Sequence, residues 1–558
     1  MALRAAALFL LATTPVHSAL VPPTKIGGVK FPSLLDASID DLAQGLQDGL
    51  FTSVDLVNAY LTRIDDVDEY FKSVTEINPD ALLIAAQQDA AREKGEVKGP
   101  LHGIPILVKN NIATADKMNN TAGSTILLGA KVPRDSFVVK RLRQAGAIIL
   151  GKANLSQWAN YRGSYLASGW SSHGGQCLGA YVPEQEPSGS SSGSAVAAAL
   201  GLAAGTLGTE TDGSIISPSA YNSIVGIKTT VGLTSRDLVI PISEHQDTVG
   251  PMTRTVKDAA ILLQAIAGVD FNDNYTSAIP GPVPNYVAAC DKGKLKGARI
   301  GLPTNLLEYI SGQGYGAELE AFYAALKVIR HAGAEIVDEA NFTRMNDLIN
   351  SNNEAIVMDT DFISNIATYL SQLSTNPNDI TNLYQIRGHT QSSAVEEWPR
   401  RDTSIWDNAL DRGFNNTDIR AWEAYQWNLE VGTEGGVIGA LDRHNLDAIV
   451  LPTSWAYRWC AIIGCPVITV PLGFYPEDQK VLYNPGGLVE YGPGIPFGFA
   501  FLGRHFTEEK LIGMAYAFEQ LTNIRDKRPP FIVPKHDIHD FAGKGIIMDM
   551  WSQDMTDL

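Results

Sequence analysis

Residues 187–214 read PSGSSSGSAVAAALGLAAGTLGTETDGS, and the interpretation of the whole chain depends on this stretch. Its Ser/Gly-rich start has the composition of a flexible linker. However, the Ala-rich run 195–204 follows it directly and favours a helix, which is not expected of a linker. The second Gly-rich segment, 208–214, is typical of a tight turn. Together the two segments predict a structured region that carries the function.

Short apolar runs on both sides of this stretch predict the strands of a buried sheet. These runs are 104–108, 147–150, 298–302, 448–451, 467–470 and 497–502. Segments with helical spacing lie between them, including 136–145 and 317–332, and Ser38 and Thr52 each begin a sequence typical of a helix start. Near-continuous apolar strands that alternate with helices indicate an α/β fold. The polar, Asn-rich segment 340–425 is interpreted as an insertion or a cap over the sheet.

Composition excludes several classes of protein. The chain has 558 residues, of which 45% are hydrophobic, so it can bury a large core and is not disordered. Asp and Glu total 61 against 43 Lys and Arg, a net charge of −18. An acidic chain without a basic block cannot neutralise phosphates, so we expect no nucleic-acid partner.

The N-terminus has the pattern of a secretory signal peptide. Arg4 precedes the apolar run 5–12, and Val16-His-Ser18 is a small-x-small cleavage site. A short membrane anchor is the alternative, but the run falls well short of the ~20 residues that a span needs. We therefore expect residues 1–18 to be removed and the protein to be secreted without a membrane span.

An extracellular location bears on the cysteines and on glycosylation. The four cysteines permit two disulfides with three connectivities, and four free thiols are equally compatible with the sequence; they are Cys177, Cys290, Cys460 and Cys465. Sequons at Asn274, Asn341 and Asn415 lie in polar stretches and are candidate glycan sites, whereas the sequon at Asn154 follows an apolar run and is expected to be buried.

Two serines compete as the nucleophile. Gly189-Ser-Ser-Ser-Gly193 matches the nucleophile elbow of α/β-hydrolases, with Ser191 attacking. That elbow requires an apolar strand immediately before it, and residues 181–187 instead contain two prolines and two acids. The match is therefore weak.

The alternative is Ser214, supported by several motifs taken together. Gly-Ile-Pro-Ile-x-Val-Lys at 103–109, the Ser/Gly stretch, and Gly-Thr-Glu-Thr-Asp-Gly-Ser at 208–214 occur in the order of the amidase signature family, which the chain resembles over nearly all of residues 19–558. The resemblance implies one amidase domain built on a twisted mixed sheet with helices on both faces. It also implies a catalytic triad with Lys109 as base, Ser190 as a bridging serine in a cis peptide, and Ser214 as nucleophile.

The chemistry of these residues is consistent with those roles. A serine hydroxyl is a weak nucleophile and needs an adjacent base, and a lysine can serve only if burial keeps it neutral. Lys109 ends an apolar run, where a buried amine is plausible, although most lysines lie at the surface. The backbone N–H groups of Thr211, Asp212, Gly213 and Ser214 are expected to form the oxyanion hole.

The chain departs from the family pattern beside the nucleophile. Asp212-Gly213 replaces the common Gly-Gly, as in a subgroup that looks like the peptide amidases, and Ile216 replaces a common Arg. Without that cation, neutral amides are favoured over small anionic substrates. We expect a small-molecule or peptide amide as substrate and no cofactor or metal; the oligomeric state stays open. The alternatives are a component of an amidotransferase and a non-catalytic binding protein of the same fold.

Aromatic residues flank the motifs and can line an acyl pocket, although ordinary core packing is the better explanation for most of them. They are Trp158, Tyr161, Tyr165, Trp170, Trp455, Tyr457 and Trp459.

Overall fold

Eleven strands form one mixed sheet in the part of the chain that the structure describes, a computed structural model covering residues 24–26 and 29–543. The signal peptide predicted at 1–18 lies outside the described residues. In chain order, β1–β11 are Val74–Ile77, Pro105–Lys109, Ile148–Ala153, Gly205–Glu210, Val225–Lys228, Thr248–Thr253, Arg299–Gly301, Glu335–Val337, Ala448–Pro452, Val467–Phe474 and Pro496–Leu502. Their order across the sheet is β8-β7-β9-β11-β10-β5-β6-β4-β2-β3-β1. Three further two-stranded pairs lie outside this sheet: 25–26 with 29–30, 170–171 with 175–176, and 482–483 with 489–491.

Helices occupy most of the connections. In chain order, α1–α17 of the described residues are Ile39–Gln47, Ser53–Phe71, Ala81–Glu93, Phe137–Gln144, Ser192–Ala199, Ile216–Tyr221, Val256–Ile266, Thr304–Ser311, Gly316–His331, Met345–Ile349, Asn353–Ser371, Leu383–Ser392, Ser404–Asp411, Ile419–Gly432, Val437–Arg443, Tyr457–Ala461 and Glu508–Thr522. Ser38 and Thr52 form capping boxes at the starts of α1 and α2, as expected from the sequence. Every residue of β2, β3, β4 and β6 is buried, so helices and loops cover both faces of the central sheet. The predicted α/β fold is confirmed.

The middle of the sheet contains three strands that the apolar runs do not predict. β4 and β6 are rich in glycine and threonine, β5 contains Gly226, and Gly208 pairs with Gly250 across the β4–β6 ladder. A Cβ atom on Gly250 would lie 1.9 Å from the carbonyl oxygen of Ile227, and one on Gly208 would lie 2.5 Å from Met252 Sδ. These strands therefore carry glycine because neighbouring atoms occupy the space that a side chain would need.

Segment 340–425 folds into helices α10–α13 and the start of α14. Phe362 and Trp406 from this segment pack with Trp158 in an apolar cluster separate from the main core. A buried ion pair also attaches the segment: Arg162 Nη1 lies 3.0 Å from Glu396 Oε2, and both side chains are fully buried. The segment thus packs on the loop between β3 and α5 through apolar contacts and one buried ion pair.

The structure resolves the question of the cysteines. Cys460 and Cys465 form a disulfide, while Cys177 and Cys290 are free thiols. One of the two possible disulfides is therefore present. None of the helices within residues 29–543 combines the length and apolar character needed to cross a bilayer.

Candidate active site

Two parallel neighbouring strands bring the site together. β2 and β4 pair in parallel, with Val108 opposite Leu207, so the C-terminal ends of both strands lie at the same edge of the sheet. Lys109 is the last residue of β2, and Thr209 and Glu210 end β4. Residues far apart in the sequence meet here because parallel strands align their carboxyl ends.

The amine of Lys109 contacts three oxygen atoms. Nζ lies 2.7 Å from Ser190 Oγ, 2.8 Å from Thr209 Oγ1 and 3.1 Å from the Thr209 carbonyl oxygen. A neutral amine has two N–H donors and one lone pair. If the two N–H groups bond to Thr209, the lone pair faces the Ser190 hydroxyl. Asn111 Nδ2 also donates to Thr209 Oγ1 at 3.0 Å and holds that hydroxyl in place.

Burial favours the neutral form of Lys109. The side chain is fully buried, and this desolvation lowers the pKa of the amine well below its ordinary value. The carboxylates of Asp247 and Glu210 act in the opposite direction and raise the pKa, but the effect of burial is larger. A lysine with a lowered pKa beside a serine hydroxyl can act as a general base.

The two serines of the predicted triad lie on adjacent loops. The Gly189–Ser190 peptide bond is cis, as the resemblance implies. The N–H of Ser191 donates to the carbonyl oxygen of Ser214 at 3.1 Å, which joins the two loops. Ser190 and Lys109 are fully buried, whereas Ser214 is 8% exposed. Of these three residues, Ser214 alone retains exposed surface.

Ser191 does not have the environment of a nucleophile. Its side chain is fully buried, and Oγ donates to the carbonyl oxygen of Thr209 at 3.0 Å. It also accepts a hydrogen bond from the Thr209 N–H at 3.3 Å. Ser191 therefore attaches the start of α5 to the end of β4, and the hydrolase-elbow alternative is wrong.

The loop that carries Ser214 is held by one carboxylate. Glu210 accepts hydrogen bonds from the N–H groups of Gly213 at 3.0 Å, Ile215 at 2.7 Å and Ile216 at 2.8 Å. The prediction that the Gly213 N–H belongs to the oxyanion hole is not supported, because this donor points at Glu210. Within residues 29–543, the N–H groups of Thr211, Asp212 and Ser214 have no acceptor and remain candidates.

Asp247 holds the opposite side of the same loop. Its Oδ1 accepts from Thr211 Oγ1 at 2.6 Å, and its Oδ2 accepts from the N–H groups of Ile242 and Ser243. Sequence reasoning assigned no role to Asp247, nor to three residues within or beside the motifs, which are Asn111, Thr209 and Glu210. For these three, the position next to Lys109 or Ser214 in the chain was a signal that could have identified them.

A second charged group lies beside the nucleophile loop. Burial, together with the nearby carboxylates of Glu354 and Glu210, raises the pKa of Asp212 well above its usual range. Glu354, from α11, pairs with Arg458 from α16 at 3.0 Å. Ile216, which replaces the family's common arginine, is buried. Arg458, a cation that acts on Asp212, is thus already paired with a carboxylate.

A cavity of about 590 Å³ opens next to the triad. Ser188 and Ser217 line it, with their hydroxyl oxygens 2.8 Å apart, and the Ser217 N–H donates to the carbonyl oxygen of Gly213. Tyr457 lines the cavity and also contacts the loop, since a Cβ on Gly213 would lie 3.0 Å from its ring. The cavity therefore adjoins the residues that flank Ser190 and Ser214.

The flanking aromatic residues divide between core and cavity. Trp158, Trp170, Trp459 and Tyr161 are buried, and Trp158 and Tyr161 belong to the apolar cluster of segment 340–425. Only Tyr165 and Tyr457 of the seven line the cavity. The expectation of core packing for most of them is confirmed. Asn154 is also buried, as expected from the sequence.

Within the described part of the chain, one cluster of metal-ligating side chains lies outside this site. Glu244, His245 and Asp361 each place a ligand atom within 4.8 Å of the others. His245 Nδ1 lies 2.7 Å from Asp361 Oδ2, and Glu244 accepts a hydrogen bond from Asn416. These contacts join residues 244–245 to segment 340–425. The cluster is therefore explained by its role in attaching that segment.

Comparison with known proteins gives concordant matches. A family model described as Amidase matches residues 55–459. A putative amidase of Arthroderma benhamiae is 49% identical, covering 92% of this chain and 90% of that protein. The crystal structure of native peptide amidase from Stenotrophomonas maltophilia is similar with a TM-score of 0.79 and 38% identity, covering 89% of this chain and 98% of that chain. A glutamyl-tRNA(Gln) amidotransferase subunit of Methylococcus capsulatus is 32% identical, covering 88% of this chain and 98% of that protein.

Proposed function

This chain belongs to the amidase family and is an amide hydrolase, and we propose that it cleaves a carboxylic or peptide amide through an acyl-enzyme on Ser214. The proposed products are the carboxylic acid and ammonia or an amine. Three described features support this proposal: the buried amine of Lys109, the adjacent Ser190 and the accessible Ser214.

In the acylation step, Ser214 Oγ attacks the amide carbonyl carbon. Its proton passes to Ser190, and the Ser190 proton passes to the neutral amine of Lys109, 2.7 Å away. The same groups return a proton to the leaving nitrogen, so that the C–N bond breaks and the acyl group stays on Ser214. Water then attacks the ester by the same relay and releases the acid.

The carbonyl oxygen becomes negatively charged in both steps. The N–H groups of Thr211, Asp212 and Ser214 are proposed to stabilise it, since Gly213 donates to Glu210 instead. One such donor is typically worth about 3 kcal/mol of barrier. Glu210 and Asp247 position these donors from the two sides of the loop.

One observation carries the proposal: Lys109 Nζ is fully buried, directed at Ser190 Oγ, and has Thr209 as acceptor for its N–H groups. A fluorophosphonate probe tests the consequence. We expect it to label purified wild-type protein at Ser214, as identified by peptide mass spectrometry, and not to label Ser214→Ala. Ser191→Ala is the matched control and should still be labelled. Labelling that persists in Ser214→Ala would disprove the assignment, and no labelling of the wild type would favour a non-catalytic binding protein.

Amide hydrolysis by the isolated chain distinguishes the proposed function from the amidotransferase alternative. The putative amidase of A. benhamiae is 49% identical to this chain and the amidotransferase subunit of M. capsulatus 32%, which favours an independent amidase. Hydrolysis of a primary amide by the purified chain alone would support the proposal. Activity that appears only with added amidotransferase subunits would contradict it.

The N-terminal pattern further supports the proposal that the enzyme is secreted after cleavage near Ser18. Expression of the full chain in a eukaryotic host tests this. We expect the protein in the medium with an N-terminus near Ala19, whereas cytosolic protein with Met1 intact would contradict it.

A further inference from the structure

The cavity beside Ser214 contains buried acidic groups that the proposed mechanism does not use. Glu186 and Glu318 line the cavity and are only 7% and 2% exposed. They come from different parts of the fold, since Glu186 lies in the loop before α5 and Glu318 lies in α9. A buried carboxylate is unfavourable unless a partner compensates it.

Both carboxyl groups accept hydrogen bonds from neutral groups. Glu186 Oε2 accepts from the Ser188 N–H at 3.0 Å, and Glu318 Oε1 accepts from Ser454 Oγ at 2.9 Å. Burial raises the pKa of each group to about 7, so the protein alone does not stabilise either of them as an anion. Within residues 29–543, no cationic side chain forms an ion pair with either of them. Each is therefore available to a cation that enters the cavity.

Aromatic rings form the wall next to Glu318. Tyr315, Tyr475 and Tyr491 line the cavity, and Tyr491 lies edge-on to both of the others at centroid distances of 6.3 and 5.9 Å. The face of a tyrosine ring attracts an ammonium or guanidinium group. Carboxylates beside aromatic rings are thus suited to an organic cation.

Two arginines also line the cavity, but both have another partner. Arg400 is largely exposed and lies 3.7 Å from Glu397 Oε2, and Arg401 lies 3.3 Å from the same atom. Arg401 also stacks on Trp170 at 4.4 Å from the ring centroid. Within residues 29–543, both guanidinium groups pair with Glu397, and neither pairs with Glu186 or Glu318.

We propose that this cavity is a subsite for an acyl group bearing an organic cation, such as the side chain of a lysine or arginine amide. The inference rests on the proposed function, because a primary amide releases only ammonia and its larger acyl part must occupy the cavity. Ser188, Ser217 and Tyr457 connect the cavity to the Ser214 loop. The subsite therefore selects among primary amides by the charge at the far end of the acyl group.

Two substrates with the same four-carbon side chain test the subsite. Nα-acetyl-lysinamide carries an ammonium group on its ε-carbon, where Nα-acetyl-norleucinamide carries only hydrogen. At pH 8, we expect kcat/KM for the lysine amide to exceed that for the norleucine amide by about tenfold or more, the worth of one hydrogen bond to a charged group. A ratio at or below one in the wild-type enzyme overturns the proposal.

Isosteric variants show which carboxyl groups produce the preference for the lysine amide. Glu318→Gln and Glu186→Gln should each reduce the lysine-to-norleucine ratio several-fold. Glu320→Gln is the matched control, because Glu320 lies on the same helix with its side chain exposed, and it should keep the wild-type ratio. Retention of the wild-type ratio in both cavity variants would overturn the subsite.

An error in the proposed amidase function would give a different result from an error in the proposed subsite. If no amide is turned over, the amidase mechanism is wrong, and calorimetry with Nα-acetyl-lysinamide and Nα-acetyl-norleucinamide still decides the subsite. Tighter binding of Nα-acetyl-lysinamide would support it, and equal or weaker binding would overturn it.

Discussion

Replacing Lys109 with methionine removes the proposed base while keeping a long, unbranched apolar side chain. General base catalysis typically contributes about 10²–10⁴-fold, so kcat/KM for any amide substrate should fall by at least about 10²-fold. In the wild type, kcat/KM should fall as the pH decreases through the pKa of Lys109, because only the neutral amine can accept a proton from Ser190.

The same substitution has a second, independent effect on stability. In the unfolded chain, Lys109 holds its proton up to a pKa of about 10.4. In the folded protein, burial lowers the pKa of this amine. Between the two values the unfolded state binds more protons, so the free energy of unfolding increases with pH. The contribution of this one group reaches about 1.4 kcal/mol per pH unit.

Urea denaturation at pH 8, 9 and 10 measures this slope. Lys152 and Lys228 are also buried amines, with the pKa lowered to about 7 and about 8, and they add to the slope of every variant. Only the difference between wild type and Lys109→Met isolates Lys109. The exposed Lys140 supplies the matched control, Lys140→Met, which should keep the wild-type slope. Equal slopes for wild type and Lys109→Met, or retained activity in Lys109→Met, would refute the reasoning.

Three further substitutions test the surroundings of the relay. Thr209→Val removes the hydroxyl that accepts from the amine, so we expect kcat to fall at least about tenfold, with a changed pH profile in a stopped amide assay. Ser191→Ala should lower the free energy of unfolding by about 1–3 kcal/mol in urea titration, while probe labelling at Ser214 persists; loss of labelling would contradict our structural role for Ser191. Glu396→Gln leaves the buried Arg162 without its anion and should cost about 3–5 kcal/mol of stability, visible as a lower urea midpoint; an unchanged midpoint would show that the ion pair does not hold segment 340–425.

The sequence was sufficient where a residue's role follows from its local pattern. All six apolar runs are strands, within a few residues at their ends, because a strand buried on both faces needs apolar side chains throughout. Ser38 and Thr52 begin helices because the capping hydrogen bonds involve only neighbouring residues. The α/β class and the family follow from such local signals.

The apolar runs did not predict the central strands β4, β5 and β6. Atoms from distant parts of the chain determine which residues fit in these strands. Segment 208–214 has the pattern of a turn, yet Gly208 lies in β4 opposite Gly250 of β6, where Met252 and Ile227 leave no room for a Cβ atom on these glycines. The disulfide between Cys460 and Cys465 was one of several open possibilities in the sequence, since connectivity depends on geometry.

The sequence by itself determined which residues are candidates for the chemistry: Lys109, Ser190 and Ser214 follow from their motifs. Only the tertiary structure decided what each can do. Burial at the edge shared by β2 and β4 lowers the pKa of Lys109, the hydrogen bond from Gly213 to Glu210 removes one expected oxyanion donor, and the position of Ser191 excludes it as nucleophile. The physical reason is that desolvation and the direction of a hydrogen bond depend on atoms contributed by distant parts of the chain.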